Sequence, residues 1–268
     1  MGLPPGTDNP KLKNGKIRLE ARDIPAFPIE DDMPPDNELR MRVDFIYSSE
    51  EDLEKDADVY WKKYAKKQYR VVEDFVDERR SMEQALAQIE QPGDSDEQKL
   101  RKIYDRCQQI RKVSFERKKT EQETKRDNLK PAHDVDDVWK RGYADGLQVT
   151  WLFLALARTA GFSADAVLIP TRDKYFFNRG IMNPTQLNSK VVVVKVGDQE
   201  LYFDPGSAFA PYGMLPWHET AVPDLRLHKD GGEWVNMPLP PSADSRVDRH
   251  AGLKLNERGG LEGKLTIT

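Results

Sequence analysis

The stretch Arg141-Gly142-Tyr143-Ala144-Asp145-Gly146-Leu147-Gln148-Val149-Thr150-Trp151-Leu152-Phe153-Leu154-Ala155-Leu156-Ala157-Arg158-Thr159-Ala160-Gly161 decides the fold. From Leu147 to Ala160 it is the densest apolar segment of the chain, and Gly161 stands where a helix would close on a left-handed residue. This segment predicts the central buried helix. Its longest unbroken apolar run, Trp151 to Ala157, is far too short to span a membrane.

Downstream, the pattern changes from helix to strand. Ala164 to Ile169 reads as a short strand closed by Pro170. Lys190 to Val196 carries four consecutive valines, which β-branching favours in a strand buried on both faces. Gly197 and Asp198 make a turn, and Glu200 to Phe203 returns as the partner strand. Leu225 to Val235, centred on Asp230-Gly231-Gly232, predicts a hairpin. So do Leu253 to Leu255 and Leu261 to Ile267, which pair around Gly259 and Gly260.

Upstream, Ser48 with Glu51 forms a capping-box pattern, and Leu53, Ala57, Tyr60, Tyr64, Val71, Phe75 and Val76 recur at helical spacing. One long helix is expected from about Glu50 to Ile89, stopped by Pro92-Gly93-Asp94. Ser95 with Gln98 caps a second helix striped by Leu100, Ile103, Tyr104, Cys107 and Ile110. Cys107 lies in that stripe as a small buried hydrophobe. Arg117 to Arg126 is a solvated charged run, and Asp134 to Trp139 opens a further helix. The proline-rich start holds two strand candidates, Lys16 to Ala21 and Leu39 to Tyr47. The second alternates Met41, Val43, Phe45 and Tyr47 on one face, so it needs a sheet to join.

Helices first and an antiparallel sheet after them give an α+β class, not an alternating βαβ chain. Three segments are expected: 1–47 as the C-terminal part of an upstream β domain, 48–240 as the central domain, and 241–268 as the start of a C-terminal β domain.

Composition removes several functions. The 268 residues carry 42 Lys plus Arg against 46 Asp plus Glu, a net −4 mixed along the chain, which argues against nucleic acid as a partner. One cysteine excludes an internal disulfide and a multi-cysteine zinc site, and four scattered histidines make no metal centre. No cofactor is expected.

Arg141-Gly142-Tyr143-Ala144-Asp145-Gly146 and the ending Leu156-Ala157-Arg158-Thr159-Ala160-Gly161 resemble the bacterial transglutaminase-like family, which has a papain-like cysteine-protease fold. In that family a cysteine enters the helix, a histidine precedes a valine-rich strand, and an Asp-Pro step ends the next strand. The resemblance places Gly146 at the cysteine and Ser189 of Leu187-Asn188-Ser189 at the histidine. Asp204 of Tyr202-Phe203-Asp204-Pro205 keeps the carboxylate that would orient the imidazole. Ile24-Pro25-Ala26 through Met33-Pro34-Pro35 and the downstream β segment resemble envelope proteins that join a DUF3857 β domain to such a domain.

The resemblance therefore implies a transglutaminase-like domain with a degenerate triad, in a periplasmic or envelope setting beside other domains of a longer chain. Such a domain would bind a peptide, peptidoglycan or polysaccharide partner through aromatics near the groove. Trp139, Tyr143, Asn188 and Trp217 are the ligand-contacting candidates, with Trp151, Tyr202 and Tyr175-Phe176-Phe177 nearby. The alternative is an active cysteine peptidase or amide-transferring enzyme that uses other residues. His218 is one candidate for a displaced base. Ser189 with Lys190 is a poorer pair, because neighbours on a strand point apart. Asp204 also has an ordinary reading, in which its carboxylate accepts backbone N–H bonds at a turn. On the retained frame, Gly146→Cys with Ser189→His is expected to bring a thiol and an imidazole within hydrogen-bond reach.

Overall fold

The computed structural model describes residues 11–31, 33–41, 54–174 and 176–268. The chain divides into a unit ending at Met237 and a second running from Pro238 to Thr268.

In the first unit, β1 (Lys11–Lys13) and β2 (Lys16–Arg18) form a small antiparallel ribbon. One helical turn, α1 (Asp36–Leu39), follows, with Glu38 accepting a hydrogen bond from the Phe176 N–H at 3.0 Å. The expected first strand is thus shorter than Lys16 to Ala21. Leu39 closes a helical turn where a strand was expected to open. Arg40 and Met41 are not in a strand either, and residues 42–47 and the Ser48–Glu51 cap lie outside the described residues.

The single long helix is two. α2 (Ala57–Val76) starts at Asp56, whose carboxylate accepts from the N–H groups of Asp58 and Val59, and α3 (Arg79–Leu86) follows after Asp77 and Glu78. The sequence shows why the break is needed. The buried positions are Trp61, Ala65, Val72 and Val76, then Met82, Ala85 and Leu86. On an unbroken helix the six residues from Val76 to Met82 would turn the apolar face by about 240°. Breaking at Asp77 resets the face toward the core.

The helix α4 (Asp96–Gln108) carries the expected Ser95/Gln98 capping box and buries Leu100, Ile103, Tyr104 and Cys107. The charged run supplies α5 (Glu121–Asp127), and α6 (Val135–Arg141) ends on Gly142 at φ 68°. A two-residue parallel bridge joins β3 (Arg111–Lys112) to β4 (Tyr143–Ala144) and delivers the chain into α7 (Gly146–Thr159). Asp145 caps α7 by accepting from Gln148 N at 2.8 Å, and the Gln148 side-chain carbonyl accepts in return from Asp145 N. Asp145→Ala removes this box and is expected to cost about 1 kcal/mol in urea unfolding.

Helix α7 is buried from Val149 to Ala157 because neighbours cover it on every side: α3, α4 and α6 pack around it, and the sheet lies beneath. That sheet runs β7-β6-β5-β8-β9 and is antiparallel throughout, from β5 (Ser163–Ile169), β6 (Ser189–Val196), β7 (Gln199–Phe203), β8 (Pro223–His228) and β9 (Gly231–Asn236). The valine run divides as its period demands. Val192 and Val194 join the helical core, while Val191 and Val193 pack with Val167, Ile169, Tyr202, Val222 and Met237 on the other face. The fold class is therefore α+β with an antiparallel sheet.

The second unit contains an antiparallel hairpin of β10 (Arg249–Leu255) and β11 (Leu261–Ile267), in register from Arg249↔Ile267 to Leu255↔Leu261. Among the described residues no helix is long and apolar enough to cross a membrane.

Candidate functional site

The N-terminus of α7, the start of β6 and the turn after β7 meet at a cavity of about 420 Å³. Gly146, Ser189 and Asp204, far apart in sequence, all line it. Helix α7 reaches this place because the β3–β4 bridge sets Ser114 beside its first turn. There the Ser114 hydroxyl accepts the Gly146 N–H at 3.0 Å.

Gly146 leaves no room for a side chain. A Cβ built there would lie 2.8 Å from the Gly206 carbonyl oxygen and 3.4 Å from Ser114 Oγ. The turn after β7 is held in that position by α4, where Tyr104 donates its hydroxyl to the Ala210 carbonyl at 2.7 Å. Gly146→Cys would thus drive its Cβ into backbone, so the expectation that a thiol could simply be reinstated is corrected.

Asp204 is 6% exposed. One of its oxygens, Oδ1, accepts from Thr150 Oγ1 and from Gly206 N, each at 3.1 Å, so it closes the turn as its ordinary reading required. Burial raises its pKa, while the hydrogen bonds from Ser207, Thr150 and Gly206 act the other way.

The residue that sequence reasoning missed is Glu219. It is 3% exposed, lines the cavity, and accepts the Ser189 hydroxyl on Oε1 at 2.6 Å. Its Oε2 is buried and has no partner among the described residues. Burial first and the charge of Asp204 second push its pKa up to about 8, with the Ser189 hydrogen bond opposing. That shift favours the protonated form of Glu219 near neutral pH. Its neighbour His218 drew attention in the sequence, yet His218 does not line the cavity: its carbonyl accepts from Arg172 N and its ring lies edge-on to Trp217. The only sequence signal for Glu219 was an acid in an otherwise apolar loop.

Lys190 also lines the cavity, and burial lowers its pKa against the opposing charge of Asp145. Ser189 and Lys190 both reach the cavity wall, but the Ser189 hydroxyl is committed to Glu219.

Among the described residues the nominated aromatics do not line this cavity. Trp139 borders a separate hollow, 4.8 Å from the Arg106 guanidinium, and the Tyr143 hydroxyl accepts from Lys130 N. Trp217 is 63% exposed and stacks on Arg172, while Trp151 is in the core. Tyr202 faces the opposite side of the sheet and donates to Asp224 at 2.9 Å. Phe177 packs on Trp61 and Trp234, Phe176 is exposed, and Tyr175 lies outside the described residues. The aromatic that lines the cavity is Phe115. Asn188 is also in its wall, with its amide paired to Thr171 on both sides at 2.8 Å.

Cys107 is fully buried in α4 and does not line the cavity. Burial pushes its thiol up to about 12 despite the nearby positive charges of Lys112 and Arg106, so thiolate is scarce at neutral pH. Iodoacetamide is expected to leave the native chain unlabelled at about pH 7.5 and to label it once per chain after denaturation, read by intact mass.

The molecule is an α+β protein with a cavity of mixed polar and apolar lining at the junction of a buried helix and an antiparallel sheet. No family model matches the chain, and no curated protein matches it. One solved structure is similar: a crystal structure from Parabacteroides distasonis described as a "putative protease", at 11% identity and a TM-score of 0.45 over 66% of this chain. The aligned part is 32% of that protein, so this chain spans about a third of its length. A likeness at that TM-score settles neither family nor activity.

Proposed function

We propose that the chain is a transglutaminase-like domain that has lost its thiol chemistry and serves as a binding module, with a peptide or cell-wall peptide held in the cavity. The observation that carries this reading is the close approach of Gly206 to Gly146: a Cβ at the nucleophile's position would lie 2.8 Å from the Gly206 carbonyl oxygen. Gly146, Ser189 and Asp204 converge as a degenerate triad would, and neither a thiol nor an imidazole lines their cavity among the described residues. The polar wall of Ser114, Thr150, Ser189 and Ser207, with one aromatic, suits a hydrogen-bonding peptide better than a sugar ring needing a stacking platform. The envelope setting and the neighbouring β domains remain part of the proposal through the sequence resemblance.

The test uses the whole chain. Titration calorimetry with peptides and peptidoglycan fragments is expected to show binding that Ser189→Phe, which fills the cavity, abolishes. Incubation with γ-glutamyl and peptide substrates is expected to give no turnover above buffer. Turnover that survives purification and is lost in Ser189→Phe would favour an enzyme working through other residues.

A further inference from the structure

A lysine and a buried carboxyl group line the cavity without pairing with each other. The half-buried Lys190 ammonium makes no hydrogen bond or ion pair among the described residues, and the acid it senses is Asp145, whose carboxylate caps α7. Glu219 senses Asp204 and Asp173, not Lys190, and keeps Oε2 unpartnered although the residue is only 3% exposed. Asp204 in turn lies within electrostatic reach of Lys112, whose ammonium is bound to Gln108. An unpaired, half-buried ammonium and a buried carboxyl oxygen without a partner are both costly to leave unsatisfied. Both border the same cavity. Two carboxyls and a serine are too few donors for a metal cage, and no group of three or more metal-binding side chains occurs among the described residues.

We propose that the cavity binds a short linear peptide of two or three residues with both ends free, its ammonium on the Asp204–Glu219 carboxyl pair and its carboxylate on Lys190. This rests on the binding-module reading and names its ligand class. Phe115 and Leu147, both partly exposed on the wall, supply apolar surface for side chains. The volume of about 420 Å³ falls in the range of small-molecule sites, roughly 300–1,000 Å³. Seating an ammonium beside Glu219 ionises it, so its proton passes to the buffer while the ligand amine stays protonated.

The experiment is titration calorimetry on the full chain at about pH 7 with Ala-Ala and Ala-Ala-Ala, their N-acetylated forms and their C-terminal amides. The free peptides are expected to bind about tenfold or more tighter than either capped form, with proton release visible as a dependence of the heat on buffer. Glu219→Gln is expected to erase the preference for a free amine together with the proton release. Lys190→Met is expected to erase the preference for a free carboxylate. Circular dichroism confirms that both variants are folded. Equal binding of capped and free peptides, lost in Ser189→Phe, overturns terminus recognition and leaves the binding module standing. Peptidoglycan-fragment binding that excludes these peptides and persists in Ser189→Phe overturns both.

Discussion

Gly206→Ala is expected to destabilise the folded chain by roughly 3 kcal/mol or more, at the upper end of what overpacking costs. A Cβ at 206 would lie 2.2 Å from the Gly146 carbonyl oxygen, 2.7 Å from its carbon and 2.6 Å from Thr150 Oγ1. None of these atoms is the free end of a flexible side chain. The carbonyl belongs to the first turn of α7, and Thr150 is tied both to that carbonyl and to Asp204. Relief requires the β7 turn to move off the helix, which would strip Asp204 of its hydrogen bonds. Gly146→Cys meets the same backbone less severely, at 2.8 Å from the Gly206 oxygen, and should cost about 1–3 kcal/mol. The order matters as much as the size: Gly206→Ala is the worse of the two although it adds the smaller side chain. Urea unfolding of both variants measures it. A Gly206→Ala chain within about 1 kcal/mol of the parent would mean that the two backbones do not approach so closely, and the reading of a crowded nucleophile position would fall with it.

The elements that could be read from the sequence were those whose local pattern and burial agree. Helix α7 and the valines of β6 are apolar on all sides, the Ser95/Gln98 cap closes on itself, and Gly161 ends its helix at φ 93° as expected. The break at Asp77 was not legible by the same means. No proline or glycine marks it, and only the six-residue step between Val76 and Met82 requires it. At the site, the resemblance led to three positions that lie around one cavity, yet residue types could not show that Gly206 closes on Gly146. That contact joins residues sixty apart in the chain and depends on the absence of two side chains. The aromatics misled because the nominated ones are engaged elsewhere: Trp151 is in the core, Tyr202 bonds Asp224 on the other face of the sheet, Trp139 and Trp217 lie against Arg106 and Arg172, and Phe177 packs on Trp61 and Trp234. A tryptophan in sequence shows only that large apolar area must go somewhere. Glu219 was passed over for the histidine beside it, since its role comes from burial that only the fold supplies.

Glu219→Gln is expected to reverse its effect on stability between about pH 5 and pH 9. The folded chain holds the Glu219 proton up to about pH 8, whereas the unfolded chain releases it near the ordinary value of 4.5. Between those values the folded state binds more protons, so stability falls as the pH rises through the window. The contribution is complete below the unfolded pKa and gone above the folded one. The glutamine of the variant cannot ionise, and its amide carbonyl can still accept from Ser189, as Oε1 of Glu219 does now. Near about pH 5 the variant should therefore match the parent or fall slightly below it. At about pH 9 it should be more stable by roughly 2–4 kcal/mol, a figure reduced from the full linkage value because Asp204 shares the field. Burial raises the Asp204 pKa too, which gives a slope of the same sign wherever Asp204 titrates. The relief of its neighbour's charge in the variant makes that slope shallower. Thermal melts of both chains across this range give two curves that diverge on the alkaline side. Parallel curves would show that Glu219 is ionised throughout, and a carboxylate standing there without its proton would remove both the acid pair and the proton release assigned to ligand binding.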